Sequence, residues 1–258
     1  MRIARISVGG EVTFAVMAED GASELAGHPF SRHELSGRQW PFGEFRLLAP
    51  VLPSKVVAVA TNYRDHAAEM GSGVRDEPMI FLKPSTSVIG PGDSIALPPQ
   101  SKRVDYEAEL AVVIGRLCRD VPAARAAGVI LGYTAANDVT ARDLQKTDGQ
   151  WARAKGFDTF CPLGPWIETE LDLTSDDHPD LAVGCSVNGH IKQQGSTGDM
   201  VHSVADLIAF ISAAMTLLPG DVILTGTPAG IGPLYVGDEV EVKISGIGPL
   251  FNPVTNRA

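Results

Sequence analysis

Two carboxylates that lie two positions apart, Glu107 and Glu109, precede the apolar segment 111–114. In a β-strand the side chains alternate between faces, so both carboxylates would point the same way, about 6.5–7 Å apart. Two like charges in a buried strand require either a raised pKa or a compensating cation. Because oxygen ligands favour hard divalent ions, the pair is a candidate cation site. The alternative is the exposed face of an edge strand, where acidic residues are common.

A third carboxylate follows the next predicted strand along the chain. The apolar segment 129–136 predicts a buried strand, and Asp138 comes just after its end. In that position its side chain can converge on Glu107 and Glu109. The alternative is an aspartate in an ordinary turn, which is the commoner use of this residue type.

A histidine and a glutamate form the next candidate pair. Residues 64–70 predict a short helix that places His66 and Glu69 at i and i+3, on one face. Glycines at positions 71 and 73 interrupt the helix, so the segment is a candidate mobile lid. A surface ion pair is the alternative, because helix faces commonly pair charges at this spacing.

Several segments, taken together and in order, resemble the fumarylacetoacetate hydrolase superfamily. The resemblance is to the branch of acylpyruvate hydrolases, oxaloacetate decarboxylases and hydroxyheptadienedioate isomerases, and it covers about residues 50–255. The segments are NYRDHAAEM at 62–70, FLKP at 81–84, DYEAELAVVIG at 105–115, NDVTARDLQ at 137–145, KGFD at 155–158 and TGTPAGIG at 225–232.

The resemblance implies a role for each matching residue. It makes Glu107, Glu109 and Asp138 the ligands of Mg²⁺ or Mn²⁺, with Ca²⁺ accepted in vitro. It makes His66, Glu69 and Lys155 catalytic, the first two as a lid pair that activates water. It places Arg142, Gln145, Gly226 and Thr227 around the substrate, the last two in a loop whose hydroxyl and backbone donors hold a carboxylate oxygen. In fumarylacetoacetate hydrolase itself the water-activating histidine lies in a differently arranged segment, so that enzyme's substrate is not expected here.

The activity implied is that of a divalent-metal-dependent enzyme acting on small anionic 2-oxo acids through a metal-stabilised enolate. Hydrolysis of a C–C bond or decarboxylation is the first expectation. Isomerisation of 2-hydroxyhepta-2,4-diene-1,7-dioate and tautomerisation of oxaloacetate are the alternatives, since one enolate serves all of these reactions. A non-catalytic cation-binding scaffold would need the three carboxylates but not the catalytic and substrate-binding side chains.

Composition excludes several other classes of function. The 258 residues carry a formal net charge of −10 and a pI near 5.0, which argues against nucleic acid or an anionic membrane as partner. The longest apolar stretch, 207–218, is too short for a bilayer, which needs about 20 residues. The three cysteines show no metal-binding spacing and suit a reducing compartment, so we expect a cytoplasmic protein.

The elements that must position these residues are mostly short strands. Many strands, few helices and frequent turns predict a β-rich α+β fold. Gly9–Gly10 and Asn188–Gly189 predict hairpins, residues 121–127 predict a helix, and Ser203 with Asp206 predicts a capping box that opens a helix to Leu217. Lys83 is expected as structural support that caps a sheet edge or pairs with an acid. Residues 1–50 predict a small β-rich N-terminal domain, and residues 51–258 the catalytic domain. The resemblance implies that the larger unit is a mixed β-sandwich roll of the fumarylacetoacetate hydrolase C-terminal type and that the protein is a homodimer.

Overall fold

The computed structural model describes residues 1–175 and 179–257. Strands make up 43% and helices 16% of the structure, which confirms the β-rich α+β prediction. The strands are β1 (Arg2–Val8), β2 (Glu11–Met17), β3 (Gly21–Leu25), β4 (Leu35–Pro41), β5 (Arg46–Leu48), β6 (Val56–Ala60), β7 (Met79–Lys83), β8 (Val88–Ile89), β9 (Ile95–Leu97), β10 (Val104–Tyr106), β11 (Ala108–Ile114), β12 (Ile130–Asn137), β13 (Thr140–Ala141), β14 (Cys161–Glu168), β15 (Ala182–Val187), β16 (His190–Ser196), β17 (Val222–Leu224), β18 (Gly232–Pro233), β19 (Glu239–Ile244) and β20 (Gly248–Asn256).

The helices are few and short. The α-helices are α1 (Arg64–Glu69), α2 (Arg142–Thr147), α3 (Ala152–Gly156) and α4 (Val204–Ala214), and 3-10 turns lie at Ser85–Ser87, Ala123–Val129 and Thr197–Asp199. No helix among the described residues has the length and apolar character needed to cross a bilayer.

A large mixed sheet forms the frame of the molecule. Its strand order is β4-β3-β2-β1-β14-β12-β11-β17-β6-β7, with β5 beside β1 and β8 beside β14. Most neighbours are antiparallel, but β17 and β6 run parallel, and so do β14 and β8. The strand that carries Glu109, β11, lies between β12 and β17. Both faces of β11 are buried, because Leu110 and Val112 belong to one core cluster and Ala111 and Val113 to another.

A second layer covers one face of this sheet. It is the five-stranded sheet β16-β15-β19-β20-β9, and the strands β13-β10-β18 form a third, small sheet. Val183 of β15 and Val242 of β19 belong to the same core cluster as Leu110 of β11. The two layers form the mixed β-sandwich expected from the resemblance.

The N-terminal strands extend the large sheet. The predicted hairpin at Gly9 and Gly10 joins β1 to β2, and Arg2 of β1 pairs with Glu168 of β14. The division into domains at residue 50 stays a prediction.

Two helix predictions need correction. The helix expected over 121–127 is the 3-10 turn Ala123–Val129, and the helix expected to reach Leu217 ends at Ala214. Leu217 instead exchanges backbone hydrogen bonds with Cys118, so its backbone must be extended. The predicted capping box of Ser203 with Asp206 is present at the start of α4.

Candidate metal centre and its cavity

Three buried carboxylates converge where β11 begins and β12 ends. Antiparallel pairing puts Ala108 opposite Asn137, so Asp138 lies beside Glu107, and its amide donates to the Glu107 carbonyl at 2.9 Å. The ladder changes partner at Glu107, since β10 stops at Tyr106 and β11 starts at Ala108. Glu107, Glu109 and Asp138 each offer an oxygen, and these oxygens lie within 4.8 Å of one another.

This donor set fits a hard divalent cation. Carboxylate oxygens lie about 2.0–2.6 Å from such ions, so two oxygens on one ion are at most about 4–5 Å apart. The 4.8 Å limit of the cluster is compatible with a common centre. The set contains only oxygen donors, which suit Mg²⁺, Mn²⁺ or Ca²⁺ better than Zn²⁺.

Two of the three carboxylates are already paired with buried cations. Lys155 Nζ donates to Glu107 Oε2 at 2.8 Å and to Asp138 Oδ2 at 2.5 Å. Lys83 Nζ donates to Asp138 Oδ1 at 2.5 Å, and Arg142 Nη2 donates to Glu107 Oε1. Burial alone would raise the pKa of Glu107, but the Lys155 ammonium and the Arg142 guanidinium outweigh it and hold that pKa well below its usual range.

Lys155 is correspondingly fixed as a cation. Burial lowers the pKa of an ammonium, but the carboxylates of Asp138 and Glu107 more than offset this effect and raise the pKa of Lys155. A lysine whose pKa is raised suits stabilisation of negative charge and does not suit proton abstraction.

Glu109 differs from its two neighbours. Among the described residues it makes no ion pair, and it accepts a hydrogen bond from the Gly226 amide at 2.7 Å. Burial, followed by the charges of Asp138 and Glu107, raises the pKa of Glu109 well above its usual range. A divalent cation at this point would compensate the one carboxylate of the cluster that makes no ion pair within the described chain.

Arg142 is anchored by a fourth buried carboxylate. Its Nε donates to Asp105 Oδ2 at 2.9 Å, and its Nη1 donates to Gln145 Oε1 at 2.6 Å. With the contact to Glu107, three of its five N–H groups are engaged. Two N–H groups and the Gln145 amide nitrogen are left for a ligand.

The loop after β17 supports the cluster from the other side. Gly226 has φ +95°, and a Cβ there would lie 2.7 Å from Asn62 Cβ, so only glycine fits without displacement. Thr227 Oγ1 donates to the Ala108 carbonyl and accepts from Gln193 Nε2, each at 2.8 Å. Its proton is therefore directed to the backbone, so donation from this hydroxyl to a substrate carboxylate stays a prediction.

Helix α1 brings the histidine and glutamate pair to the same place. His66 is buried, and its Nδ1 lies 3.1 Å from Glu69 Oε2. An ionised carboxylate only accepts hydrogen bonds, so Nδ1 carries the proton and, in the neutral ring, Nε2 is free to accept one. Glu69 Oε1 accepts from the Gly230 amide at 3.1 Å, and Asp65 Oδ2 accepts from the Ala229 amide at 3.3 Å. The helix is thus attached to the loop 225–232.

One cavity of about 400 Å³ adjoins these groups. Of the ten candidate site residues, eight line it, and Glu69 and Gly226 lie one hydrogen bond away, from His66 and Glu109 respectively. The eight are His66, Glu107, Glu109, Asp138, Arg142, Gln145, Lys155 and Thr227. The rest of the wall includes the apolar side chains of Val59, Met79, Phe81 and Trp151.

Sequence reasoning missed several residues of this site. Lys83 is expected as structural support that caps a sheet edge or pairs with an acid, and the structure confirms the second alternative and identifies the acid as Asp138. Asp105 was not expected to anchor Arg142, nor Asn137 to accept from the Glu107 amide at 2.9 Å. Gln193 of β16 is remote in sequence from every motif, and its Oε1 accepts from the Ala108 amide. The only available signal was that Asp105 and Asn137 lie inside the acidic and strand-end segments already singled out.

Comparison with known proteins gives consistent matches along the whole chain. The family described as fumarylacetoacetate (FAA) hydrolase C-terminal matches residues 55–255, and one described as Rv2993c-like, N-terminal matches residues 1–50. Protein Rv2993c of Mycobacterium tuberculosis is 53% identical over 100% of this chain and 99% of its own length. The human mitochondrial oxaloacetate tautomerase FAHD2A is 47% identical over 83% of this chain and 71% of its own length.

Solved structures also match this chain over its full length. The crystal structure of 5-carboxymethyl-2-hydroxymuconate delta-isomerase from Mycobacterium smegmatis is 50% identical, with a TM-score of 0.92 and coverage of 100% of both chains. That of 2-hydroxyhepta-2,4-diene-1,7-dioate isomerase from Mycobacterium marinum is also 50% identical, with a TM-score of 0.91 and coverage of 100% of this chain and 99% of its own.

Proposed function

Because the chain belongs to the fumarylacetoacetate hydrolase superfamily, we propose that it is a divalent-metal-dependent enzyme that enolises small 2-oxo acids. The observation that carries this proposal is the pairing, in one cavity, of three converging carboxylates with a histidine whose Nε2 is free. The three carboxylates can hold a cation next to a ketone, and the histidine can remove a proton from the adjacent carbon or return one to it. Enolisation needs both.

The cation would be held by Glu107, Glu109 and Asp138. When bound, it supplies Lewis acidity, which stabilises the negative charge that develops on a keto oxygen during enolisation. Lys155 adds a fixed positive charge beside the same carboxylates. Arg142 and Gln145 offer the remaining N–H groups to the substrate carboxylate and orient it.

His66 is the proposed proton carrier. The hydrogen bond to Glu69 favours the neutral tautomer with the proton on Nδ1, so Nε2 is available to accept a proton from the substrate. It would take the proton from the carbon next to the ketone and return it to a carbon or oxygen of the same molecule. This transfer consumes no water.

We propose net tautomerisation or isomerisation as the first candidate reaction. Relatives at 47–50% identity bear the names oxaloacetate tautomerase and 2-hydroxyhepta-2,4-diene-1,7-dioate isomerase. The arrangement of His66 and Glu69 serves such a proton transfer without a further group. Hydrolysis of an acylpyruvate and decarboxylation of oxaloacetate are the second candidate, which the same histidine supports if it activates water.

Compartment and assembly are part of the same proposal. We infer a cytoplasmic homodimer. Cys118, Cys161 and Cys185 are all buried and unpaired, which suits a reducing compartment.

A substrate panel tests the proposal. The protein is treated with chelator, reloaded with Mg²⁺, Mn²⁺ or Zn²⁺, and assayed for four reactions: oxaloacetate tautomerisation, hydroxyheptadienedioate isomerisation, acylpyruvate hydrolysis and oxaloacetate decarboxylation. We expect the first two to be fastest, with Mg²⁺ or Mn²⁺ required and Zn²⁺ a poor substitute, because the ligands offer no nitrogen or sulfur. Full activity after exhaustive chelation would contradict the metal requirement. Faster acylpyruvate cleavage would favour the second candidate.

The variant His66→Ala separates the two candidates further. If His66 moves a substrate proton, tautomerisation should fall by about 10²–10⁴-fold, the range for loss of a positioned base. If it only activates water, acylpyruvate hydrolysis should fall by that factor and tautomerisation should persist. His190→Ala, on the exposed end of β16, is the control and should leave every rate unchanged.

A further inference from the structure

Among the described residues, three basic side chains other than His66 line the cavity, namely Arg75, Arg142 and Lys155. Two of these three already form ion pairs with carboxylates. Lys155 is shared by Glu107 and Asp138, and Arg142 is held by Asp105, Glu107 and Gln145. Arg75 is exposed and makes no hydrogen bond or ion pair within residues 1–175 and 179–257, not even with its neighbours Asp76 and Glu77.

Arg75 is therefore a basic side chain of this cavity that no carboxylate of the described chain neutralises. The cavity also carries three carboxylates, which repel an anion that does not chelate the proposed cation. A substrate held by its 2-oxo acid end at that cation would extend its other end away from the carboxylates. If that other end carried a second carboxylate, a positive partner outside the cluster would offset its repulsion by the three carboxylates.

We infer that Arg75 is a specificity residue that binds the distal carboxylate of the dicarboxylic acids in the substrate panel. This inference rests on the proposed function and assigns one residue of its substrate site. A guanidinium offers two parallel N–H groups that match the two oxygens of a carboxylate, so arginine is better suited to this task than lysine. Gly71, with φ +66°, and Gly73 precede Arg75 in the segment between α1 and β7.

Because Arg75 has no partner within the described chain, its replacement should not disturb the fold. The effect should therefore appear in substrate binding alone and depend on the distal charge of the substrate. Binding of that end is the same in the ground state and the transition state, so we expect a change in KM at constant kcat.

The test compares diacids with their esters. The substrate is the diacid of the panel that the wild-type protein converts fastest, paired with the monomethyl ester at its carboxylate distal to the 2-oxo group. Arg75→Gln should raise KM for the diacid about 10-fold with kcat unchanged, and leave KM for the ester unchanged. KM for the diacid in Arg75→Lys should lie between the values for wild type and Arg75→Gln, because lysine keeps the charge and loses the paired donors.

The matched control is Arg116→Gln, which removes an exposed arginine that also lacks a partner in the described chain and does not line the cavity. It should leave KM for both compounds unchanged. Equal KM values for diacid and ester in the wild type, or an equal rise for both in Arg75→Gln, would overturn the role of Arg75 while leaving the proposed function intact. A wild-type protein that converts no compound of the panel would instead refute the proposed function.

Discussion

At the residue scale, two glutamates of the same strand region have opposite electrostatic surroundings. Glu107 accepts hydrogen bonds from Lys155 and Arg142, whereas the one hydrogen-bond donor to Glu109 among residues 1–175 and 179–257 is the Gly226 amide. Their pKa values are shifted in opposite directions, since the basic groups lower that of Glu107 and burial raises that of Glu109. Basic side chains of the described chain therefore compensate the charge of Glu107, whereas compensation of an ionised Glu109 would need a bound cation.

The same substitution at these two positions should therefore have different consequences. Glu109→Gln should weaken Mn²⁺ binding at least about 10-fold, the smallest loss expected even for residues that only support a ligand. It should not lower the free energy of unfolding of the metal-free protein, because it removes a buried carboxyl group that has no ion-pair partner among the described residues. Titration calorimetry with Mn²⁺ and urea unfolding after chelation measure the two quantities.

Glu107→Gln is the matched control. It also removes a ligand, but it leaves Lys155 and Arg142 with buried positive charge that is less fully paired. We expect it to lower the free energy of unfolding by about 3–5 kcal/mol, as for other broken buried ion pairs. Equal destabilisation by both variants in the absence of metal would contradict this division of roles.

A second prediction at this scale concerns the tautomer of His66. In Glu69→Gln, the amide oxygen still has to accept from the Gly230 amide, which turns the amide NH₂ group toward His66 Nδ1. Nδ1 must then accept a hydrogen bond, so the neutral ring carries its proton on Nε2 and can no longer accept one there. We expect kcat to fall by about 10²-fold or more. Nitrogen NMR of His66 should show the exchanged tautomer, and an unchanged tautomer would refute this reasoning.

At the element scale, the loop 225–232 joins the two halves of the site. Its Gly226 amide contacts Glu109, Thr227 contacts β11, and the amides of Ala229 and Gly230 hold the acidic side chains of α1. The loop contacts both β11 and α1 because it follows β17. Strand β17 pairs with β11 on one side and with β6, which leads to α1, on the other. A shift of this loop must therefore move Glu109 and His66 together.

Gly226→Ala should reveal this coupling. The new Cβ would meet Asn62 Cβ at 2.7 Å and would force a positive φ on a residue other than glycine. We expect a loss of about 2–4 kcal/mol in the free energy of unfolding and weaker Mn²⁺ binding, since the amide that holds Glu109 is displaced. Urea unfolding and calorimetry give both values.

Gly237→Ala is the control for backbone conformation. Gly237 has φ +92°, close to the +95° of Gly226, but open space around its Cβ position. This variant should lower the free energy of unfolding by about 1 kcal/mol and leave Mn²⁺ binding unchanged. If the two alanine variants behaved alike, the contact with Asn62 would have no special role.

At the scale of the whole molecule, an ion pair of the buried Asp221 with Lys55 joins the starts of the parallel strands β17 and β6. Asp221, just before β17, accepts from Ser54 Oγ at 2.6 Å and the Leu218 amide at 2.8 Å, and it pairs with Lys55 before β6. Burial would raise the pKa of Asp221, but these hydrogen bonds and the Lys55 charge outweigh it and lower that pKa below 3.8. The carboxyl ends of β17 and β6 carry the loop and α1, so this pair helps to set the geometry of the site.

The lowered pKa predicts the sign of the pH dependence. The unfolded chain binds a proton at Asp221 more readily than the folded protein, so this contribution to stability is present above the unfolded pKa of about 4 and is lost as the pH falls through the folded pKa. Asp221→Asn should lower the free energy of unfolding at pH 7 by about 1.5–3 kcal/mol, the range for hydrogen bonds to a charged group. The difference from wild type should shrink as the pH falls below about 4.

Urea unfolding between pH 7 and pH 3 measures this difference. Asp20→Asn removes the same charge from an exposed position and should change stability at pH 7 by no more than about 0.5 kcal/mol. A difference between wild type and Asp221→Asn that grew as the pH fell would be incompatible with the lowered pKa.

Local pattern in the sequence determined most of the elements and the candidate residues. Strand alternation placed Glu107 and Glu109 on one face, the Gly9–Gly10 and Asn188–Gly189 pairs located hairpins, and helical spacing joined His66 to Glu69. These features depend on neighbours within a few residues, so sequence alone can reveal them. The order of motifs then indicated the family and, with it, the sandwich.

Tertiary structure alone decided which charges meet. Lys83 lies 55 residues from Asp138, and Gln193 lies 85 residues from Ala108, yet each pair is joined by a buried hydrogen bond. The pKa of Glu109 is raised by its burial and by the charges of Asp138 and Glu107, while the basic groups form ion pairs with those two carboxylates. Spacing along the sequence does not predict this difference between the three carboxylates. Strand order and register fix such contacts because they bring remote segments together at distances of a few ångströms, where burial makes each charge decisive.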